Sequence, residues 1–481
     1  MKLQVKKLFL VLAMSSVVGE SYADTLTLEQ CRTMALANNK AMQIARERVN
    51  SADYQKQEAR AAYLPGFDLT MSYLHNQKQI SLLESDQYLP TKSFNPASGE
   101  YEFNLVTGPD GNPATTPDGG VIPSQVAMIP KSAMTYDVRN VFAGAVTLTQ
   151  PLYMGGKIRA LNKMSDYAKD LAESQVGNEA KEVVYMVDEA YWQVVSLAAK
   201  KRLADSYIAL LDTLNRNVKA LVSQGLATKS DLLSVEVKQN EAQIDLTRVV
   251  NGMELSRMAL AQICGLPLDS KPAVADEQGA LTAASADDTS FEMSEVYSNR
   301  NDIRSLDLAV KIYEQKQNVV RAEMLPSVAL VGAYSMTNPN VFNGFDKSLK
   351  GMFSIGAMVK VPLWHWGSNY NKLRQARSEA FVKRLELDEA KEKVELQVNQ
   401  AAYRTAEAQK VLKSTTSNLA KADENLRQAH LGYGEGVMTL DNVMTAQTAW
   451  LKANSENIDA LIDVRLCNVY LQKVKGNLSN E

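Results

Sequence analysis

The sequence predicts a mainly α fold with a smaller membrane β portion, built from a duplicated helix–strand–strand–helix–helix unit. Three observations support this fold class. The chain aligns with itself in two long gapless registers, it contains two Pro-free stretches of almost seventy residues, and four segments of about ten residues alternate between apolar and polar side chains. Internal repetition and hydrophobic periodicity are the strongest structural signals in a single sequence.

The N-terminal segment has the pattern of a cleaved export signal. Three lysines precede the apolar run 8–18, and "SYA" ends at a candidate cleavage site, Ala23. This arrangement predicts a signal peptide at 1–23 and a mature chain in the periplasm or beyond. The apolar run is too short to span a bilayer as a helix, so a membrane anchor is the less favoured alternative.

Composition argues against several partners and chemistries. Removing residues 1–23 takes away three lysines and one glutamate, so the formal charge changes from −3 to −5. No nucleic-acid partner is expected, because a phosphate-binding surface needs a basic excess. The sequence has no metalloprotease, Walker or nucleophile-elbow motif, so we expect no catalysis, cofactor or metal. Cys31, Cys264 and Cys467 do not define a disulfide framework, and their pairing stays open.

The internal registers indicate a duplicated unit. Residues 35–73 align with 296–334 at an offset of 261, and residues 142–265 align with 353–476 at an offset of 211. Residues that commonly interrupt helices and strands occupy equivalent positions in the two copies, in the pairs Asn38/Asn299, Pro151/Pro362, Gly156/Gly367, Gly225/Gly436 and Gly265/Gly476. Each identity alone is weak, but two long registers with matching breakers are strong evidence for a repeat.

The register fixes the predicted boundaries. The first repeat covers 24–264 and the second covers 291–481, joined by a Pro- and Ala/Ser-rich linker at 265–290. The offset changes because a long loop at 74–141 is present in the first repeat. Seven of the fourteen prolines lie in this loop, which predicts an irregular surface excursion, ordered or not, rather than a core element.

Each repeat is predicted to begin with a helix and to end with a long helical hairpin. The predicted helices are 27–63, 157–224 and 229–264, then 291–324, 368–434 and 440–475, which gives hairpins at 157–264 and 368–475. A straight helix of almost seventy residues is roughly 100 Å long. Helices of this length need coiled-coil-like packing of one face while another face stays in water.

Four strands are predicted, at 65–75, 142–150, 326–335 and 353–362. Each has about the length that a tilted strand needs to cross a bilayer, and aromatic residues cluster at both ends, as in the girdles of membrane barrels. Four strands cannot close a barrel, and open edges in lipid are costly, so copies of the chain must pool their strands. Two copies give eight strands and three give twelve; a through-channel favours three. Soluble hairpins packed on helices are the alternative.

These features together resemble the TolC-like outer-membrane efflux factors, which serve tripartite efflux and type I secretion systems. The resemblance covers essentially the whole mature chain. It rests on the duplicated plan and on "AAYLPGFDLTMSY" (61–73), "VTLTQPLYMGGK" (146–157), "VPLWHWGS" (361–368) and "GEGVMTLDNVMTAQ" (434–447). The "PLYMGGK" segment and the helix carrying Cys31 look like the versions found in Bacteroidetes.

The resemblance implies a homotrimer with a twelve-stranded β-barrel in the outer membrane of a Gram-negative bacterium. That barrel would continue into a periplasmic α-helical barrel. Substrates would pass passively from an inner-membrane transporter of the RND, ABC or MFS type, through a periplasmic adaptor (a membrane fusion protein), into this duct. A soluble periplasmic coiled-coil adaptor or structural protein without a channel is the alternative, and it would need no detergent to stay in solution.

The resemblance also assigns roles to the turns of the helical hairpins. They would form the periplasmic tips that dock the adaptor, through Gly225, Leu226, Ala227 and Thr228 in one hairpin and Gly436, Val437, Met438 and Thr439 in the other. Gly225 and Gly436 suit left-handed helix ends. Thr228 with Asp231, and Thr439 with Asp441 or Asn442, suit helix N-caps.

The closed entrance in this family uses polar and acidic side chains near the tips. Carried over by position, the aperture residues are Asp231, Tyr433, Asp441, Asn442 and Thr445. The sequence departs from the family pattern, because Met438 replaces a frequent basic residue and Asn442 and Thr445 replace aspartates. Asp441 is adjacent to one of these positions and is a possible substitute, but an aspartate ring is in doubt.

The remaining candidate positions are the two joints between strand and helix. They contain Pro151, Gly155 and Gly156 in the first repeat and Pro362 and Gly367 in the second. Pro151 is predicted to end the strand's ladder pairing, since proline has no N–H to donate. The glycines are predicted to permit the turn into the helix, so both joints have a structural role.

Overall fold

A computed structural model describes residues 25–279, 281–283, 289–340, 342 and 347–478. The predicted signal peptide, 1–23, lies outside the described residues. The chain divides into two compact units. A mostly helical unit takes its residues from Met1–Ala59, Arg159–Val320 and Tyr370–Glu481, and a mostly β unit is formed by Arg60–Ile158 and Arg321–Asn369.

The described residues contain eight α-helices, numbered here in chain order. They are α1 (Leu28–Asn38), α2 (Lys40–Ala61), α3 (Lys157–Ser223), α4 (Lys229–Cys264), α5 (Met293–Asn299), α6 (Asn301–Ala322), α7 (Ser368–Gly434) and α8 (Leu440–Lys475). Helices α3 and α7 each have 67 residues, and α4 and α8 each have 36. Among the described residues, no helix combines the length and apolarity needed to cross a bilayer.

The core of the first repeat lies along one face of α3. Val183, Val187, Tyr191 and Val194 are fully buried and recur at three- and four-residue spacing. This spacing places them on one stripe of the helix, where they pack with residues of α1 and α4. The long helix is therefore held by an apolar seam.

The leading helix of each repeat is broken, so the prediction of continuous helices at 27–63 and 291–324 was wrong. The breaks fall at Asn39 and Arg300, which have extended ψ values of 136° and 118°. Asn39 uses its side-chain oxygen to accept a hydrogen bond from the amide of Ala41 at 2.8 Å. Such a local side-chain bond competes with the helical backbone pattern.

A glycine at the end of each return helix packs against the break. Gly265 and Gly476 have φ values of 73° and 80° and cap α4 and α8. A Cβ on Gly265 would lie 3.1 Å from the carbonyl oxygen of Asn38, and one on Gly476 would lie 2.9 Å from that of Asn299. Both the φ values and the close approach require glycine. The duplication therefore extends to a tertiary contact.

The described residues contain ten β-strands. They are β1 (Gly66–His75), β2 (Ile80–Ser81), β3 (Gln87–Pro90), β4 (Lys92–Asn95), β5 (Glu100–Phe103), β6 (Val126–Ile129), β7 (Thr135–Tyr136), β8 (Asn140–Met154), β9 (Ser327–Asn338) and β10 (Lys350–Lys360). Strands β1, β8, β9 and β10 form an antiparallel sheet in that order, with β1 and β10 at its edges.

Aromatic residues occupy directly opposite positions on paired strands of this sheet. Tyr73 is directly opposite Phe142, and Tyr334 is directly opposite Phe353. On β1 the apolar side chains that share a face are strongly exposed, from 61% for Met71 to 71% for Phe67. A face of large exposed apolar residues needs an apolar environment or a partner.

The excursion between β1 and β8 folds back on itself in nested antiparallel pairs. Strand β2 pairs with β7, β3 with β6, and β4 with β5. Most of its residues are exposed. The segment is thus a surface excursion, as its proline content predicted, but it is paired into short strands rather than irregular.

Candidate functional site: hairpin tips and strand-to-helix joints

The two helical hairpins end in turns of the same backbone design. Tip 1 (224–228) joins α3 to α4, and tip 2 (435–439) joins α7 to α8. In tip 1, Gly225 has a φ of 72°, its amide donates to the carbonyl of Val222 at 3.0 Å, and the amide of Leu226 donates to that of Leu221 at 2.9 Å. This pair of bonds is the Schellman ending that a left-handed glycine allows.

Tip 2 repeats this ending at the positions that the internal register predicts. Gly436 has a φ of 73°, and its amide donates to the carbonyl of Tyr433 at 3.1 Å. The amide of Val437 donates to the carbonyl of Gly432 at 2.8 Å. The glycine requirement is therefore local and identical in the two hairpins.

The caps of the following helices differ. In tip 1 the hydroxyl of Thr228 accepts from the amide of Asp231 at 3.1 Å, and the Asp231 carboxylate accepts from the amide and hydroxyl of Thr228 at 2.9 and 2.8 Å. In tip 2, Thr439 accepts only from the amide of Asn442, at 3.4 Å. Tip 1 thus has a complete capping box and tip 2 has a single, longer capping bond.

Apolar side chains project from both tips. Leu226 is 72% exposed and Val437 is 82% exposed. Met438 folds back over the helix end, since a Cβ on Gly432 would lie 2.8 Å from its Cγ. Ala227 is half-buried. Each tip therefore presents one protruding aliphatic side chain on a rigid turn.

An apolar cluster supports both tips from below. Val218 and Val235 of the first hairpin pack with Leu426 and Val443 of the second, and Tyr433 lies partly buried against them. Burial and the negative charge of Asp231 raise the pKa of the Tyr433 hydroxyl. The predicted pair Asp231 and Tyr433 is thus brought close enough to interact across the two hairpins.

The other aperture candidates lie at the start of α8. Asp441, Asn442 and Thr445 are all exposed. Among the described residues, the Asp441 carboxylate has no hydrogen-bond or ion-pair partner. The hydrogen bond from Thr228 lowers the pKa of Asp231, so Asp231 is ionised but committed to its cap. The two aspartates therefore have different roles available to them.

Polar contacts below tip 2 were missed by sequence reasoning. Trp450 donates from its indole Nε1 to Asp423 at 2.6 Å. Gln447 is fully buried, and its Nε2 lies 3.4 Å from the ring Nε2 of His430. Burial lowers the pKa of His430. Residues 17 and 27 positions apart carry no pairing signal in one sequence, so these contacts could be found only in the fold.

The first joint contradicts the prediction that Pro151 ends the ladder. Strand β8 pairs with β9 as far as Met154, with a register shift between Pro151 and Tyr153. The bulged residue there is Leu152, and such a bulge lets the ladder continue past a residue that has no N–H. Only the pairing with β1 stops earlier, at Thr149.

The turn after β8 depends on both glycines. Gly155 and Gly156 have φ values of 63° and 85°. A Cβ on Gly155 would lie 2.6 Å from the carbonyl oxygen of Ala322, a distance that no side chain tolerates. Lys157 then begins α3 and reaches Glu323 with an Nζ–Oε1 distance of 3.3 Å. The first joint is therefore tightly packed.

The second joint has the same dihedral signs in a more open setting. Strand β10 ends at Lys360, so Pro362 lies beyond the strand and the predicted end at 362 was wrong. Trp366 and Gly367 have φ values of 49° and 77°, although Trp366 takes the place of Gly155 in the internal register. Its side chain is 89% exposed and meets Trp364 edge-on at 5.9 Å. A tryptophan in the left-handed region is strained.

The fold and these sites define a class of protein: an outer-membrane channel subunit with an open-edged β-sheet and duplicated helical hairpins. The sequence profile described as "Outer membrane efflux protein" matches residues 127–266 and 293–477. The chain belongs to this family, whose members are channels rather than enzymes. It is an efflux channel protein of the outer membrane with a periplasmic extension.

Individual relatives agree. The chain is 20% identical over 344 residues to the outer membrane protein TolC of Vibrio cholerae, covering 71% of this chain and 78% of TolC. It is 20% identical to the outer membrane efflux protein BepC of Brucella suis, over 71% and 74% of the two chains. Its fold is similar to that of VceC from Vibrio cholerae, with a TM-score of 0.70 at 14% identity over 94% and 97% of the chains. The predicted fold class is confirmed.

Proposed function

We propose that three copies of this chain close a twelve-stranded barrel in the outer membrane and act as the passive exit duct of a tripartite system. Energy would come from an inner-membrane transporter, reached through a periplasmic adaptor. The observation that carries this proposal is the four-stranded sheet, whose edge strands β1 and β10 each have one neighbour among the strands that the structure describes.

The chemistry of the bilayer explains why the edges need partners. Hydrocarbon offers no water to unpaired backbone N–H and C=O groups, and each unpaired group costs several kcal/mol. Pairing β1 of one copy with β10 of the next removes every edge when the ring closes. Three copies give a barrel wide enough for a lumen, whereas eight strands are filled by their own side chains.

The alternation on β1 assigns its faces. Leu69 belongs to the exposed apolar row and would face lipid, and its neighbour Thr70 would face the lumen. Arginine at the lipid face near the bilayer midplane costs about 2–4 kcal/mol. Arginine at Leu69 should therefore impair membrane insertion, whereas arginine at the adjacent Thr70 shows how well the strand tolerates an added charge in general.

The test is the assembly of Leu69→Arg and its matched control Thr70→Arg in cells. We expect the control to give a detergent-dependent trimer whose gel migration changes on heating, as the wild type does. Leu69→Arg is expected to reduce that species several-fold in the outer membrane. Equal assembly of both variants, or a wild-type chain that stays monomeric without detergent, would contradict the barrel.

We further propose that tips 1 and 2 dock the adaptor. The protruding Leu226 and Val437 are the contacts, and the left-handed Gly225 and Gly436 hold them in fixed positions. Thr228 and Thr439 cap the helices behind them, and Ala227 and Met438 complete the turn. Rigid apolar projections suit a groove on a partner helix better than open water.

The aperture is proposed to lie beside the tips and to be formed by Asp231, Tyr433, Asp441, Asn442 and Thr445. Asp441 is the residue best able to present a free negative charge to passing ions. The barrel-to-helix joints, with Pro151, Gly155, Gly156, Pro362 and Gly367, are proposed to be structural.

A further inference from the structure

Two cysteines that are distant in sequence meet in the core of the first repeat. Cys31 lies in α1 and Cys264 is the last residue of α4, and both have 0% exposure. The Sγ of Cys264 lies 3.7 Å from the backbone oxygen of Cys31, and the two residues belong to one cluster of buried side chains. Apolar neighbours, including Leu260 and Val187, enclose the pair.

We propose that Cys31 and Cys264 form a disulfide bond in the periplasm, which fastens α1 to the end of α4 and closes the first repeat into a covalent loop. The helical extension of this outer-membrane protein folds in an oxidising compartment, where disulfides form and persist. The inference rests on this location and on the contact. It does not depend on the trimer, the adaptor or the aperture.

The oxidation requires an electron acceptor, which is an oxidised dithiol carrier protein of the periplasm. The thiolate of one of the two cysteines attacks one sulfur of the carrier disulfide, which forms a mixed disulfide and releases the other carrier thiolate. The thiolate of the other cysteine then attacks the sulfur of the first and displaces the carrier. The two cysteines lose two electrons and two protons, and the carrier gains them as two thiols. Both sulfurs are buried in the fold, so the exchange takes place before α4 closes over α1.

The contact also distinguishes the two thiols. The hydrogen bond with Cys264 lowers the pKa of Cys31, and the same bond together with burial raises the pKa of Cys264. In the folded, reduced pair Cys31 is therefore the more readily ionised thiol, whereas the carrier reacts earlier, before this contact forms. Thiolate, rather than thiol, is the reacting species in exchange.

The second repeat fastens the equivalent junction by a different bond. Its internal register places Lys475 at the position of Cys264 and Glu292 at that of Cys31. Lys475 is 7% exposed, and its Nζ donates to the carbonyl oxygen of Ser290 at 2.8 Å. This bond ties the end of α8 to the segment that precedes α5. Both repeats thus secure the start of the leading helix to the end of the return helix.

Cys467 provides an internal control. It lies in α8, is only partly buried, and has its Sγ 3.8 Å from a carboxylate oxygen of Asp463. Burial and the charge of Asp463 raise its pKa to about 11. Among the described residues, its sulfur makes no hydrogen bond with either of the other two cysteines, so Cys467 is expected to remain a free thiol.

The test quenches cells with acid, unfolds the protein in denaturant without reductant in the presence of a maleimide so that buried thiols also react, and counts labels by mass. We expect one label per chain, at Cys467, and three after reduction. A non-reduced digest should contain the Cys31 and Cys264 peptides joined, with the mass of the pair less two hydrogens. Three labels before reduction and no joined peptides would overturn the proposal.

Single substitutions check the assignment. Cys467→Ser should show no label before reduction and two after it, whereas Cys31→Ser and Cys264→Ser should each show two before reduction. On a non-reducing gel the denatured wild type and Cys467→Ser should migrate faster than their reduced forms, and the other two variants should not shift. A joined pair that involves Cys467 would contradict the assignment, and the wild-type count decides the matter even if a variant fails to fold.

Discussion

The two hairpin tips share one backbone but differ in how they use their acidic groups. In tip 1 the carboxylate of Asp231 is turned back onto Thr228 and completes a capping box. In tip 2 the corresponding residue is Asn442, the cap is a single bond of 3.4 Å, and the neighbouring Asp441 is exposed. In tip 1 the Asp231 carboxylate caps the helix, whereas in tip 2 the Asp441 carboxylate stays exposed at the surface.

Residues at equivalent positions in the two repeats can therefore have different roles. A residue that matches an acidic aperture position, Asp231, is engaged in local capping. The residue one place away from the other such position, Asp441, has the freedom that an aperture group needs.

The largest effect is expected from the apolar projections, in which the two tips are alike. Leu226→Glu and Val437→Glu should each weaken adaptor binding on the order of tenfold or more, because a charge replaces an apolar side chain that the adaptor would bury in the complex. The measurement is the affinity of the purified trimer for adaptor, with Glu435→Gln as a surface control at tip 2. Unchanged affinity in both glutamate variants would remove the tips from the docking surface.

The next effect concerns the two aspartates. Asp441→Lys should change the cation preference of the channel in a planar bilayer, because it reverses an exposed charge near the entrance. Asp231→Asn should leave that preference closer to the wild type, since the carboxylate already serves the cap. A larger selectivity change from Asp231→Asn than from Asp441→Lys would reverse the comparison.

A smaller effect should appear in the caps themselves. Thr228→Ala removes the two hydrogen bonds of the Thr228 hydroxyl, while the backbone amide at 228 can still donate to Asp231, and should destabilise tip 1 by about 1 kcal/mol. Thr439→Ala removes one long bond and should cost less. Hydrogen exchange of the amides of Asp231 and Asn442 reports each cap separately, and equal losses of protection would contradict the difference.

The smallest effect is a dependence on pH that only tip 1 should show. The folded pKa of Asp231 is lowered below its ordinary value of 3.8 by the bond from Thr228. A lowered folded pKa gives stabilisation that is present above 3.8 and is lost as the pH falls below it. Exchange protection at Asp231, corrected for intrinsic rates, should therefore fall below pH 3.8, while that at Asn442 stays level.

The long helices and the duplicated turns could be predicted from the sequence. The bounds of α3, α4, α7 and α8 lie within one residue of those expected, because Pro-free stretches and left-handed glycines are local signals. The duplication placed Gly225 and Gly436 at matching turns for the same reason. These predictions need no knowledge of what lies across the fold.

The features that the sequence did not predict depend on contacts with residues that are distant along the chain. The breaks at Asn39 and Arg300 contain neither proline nor glycine, so no local breaker marked them. The bulge after Pro151 depends on β9, which lies far along the chain, and the left-handed Trp366 follows from a turn that its own side chain disfavours. The contact of Cys31 with Cys264 likewise joins residues that one sequence cannot pair.

The most direct test of the central claim is conductance. Trimer extracted from the outer membrane and added to a planar bilayer should give discrete, long-lived current steps, and these should disappear when the sample is heated to dissociate the trimer. Such steps from the heat-labile species are what a closed barrel of pooled strands predicts. An intact trimer that inserts and carries no current would contradict the account.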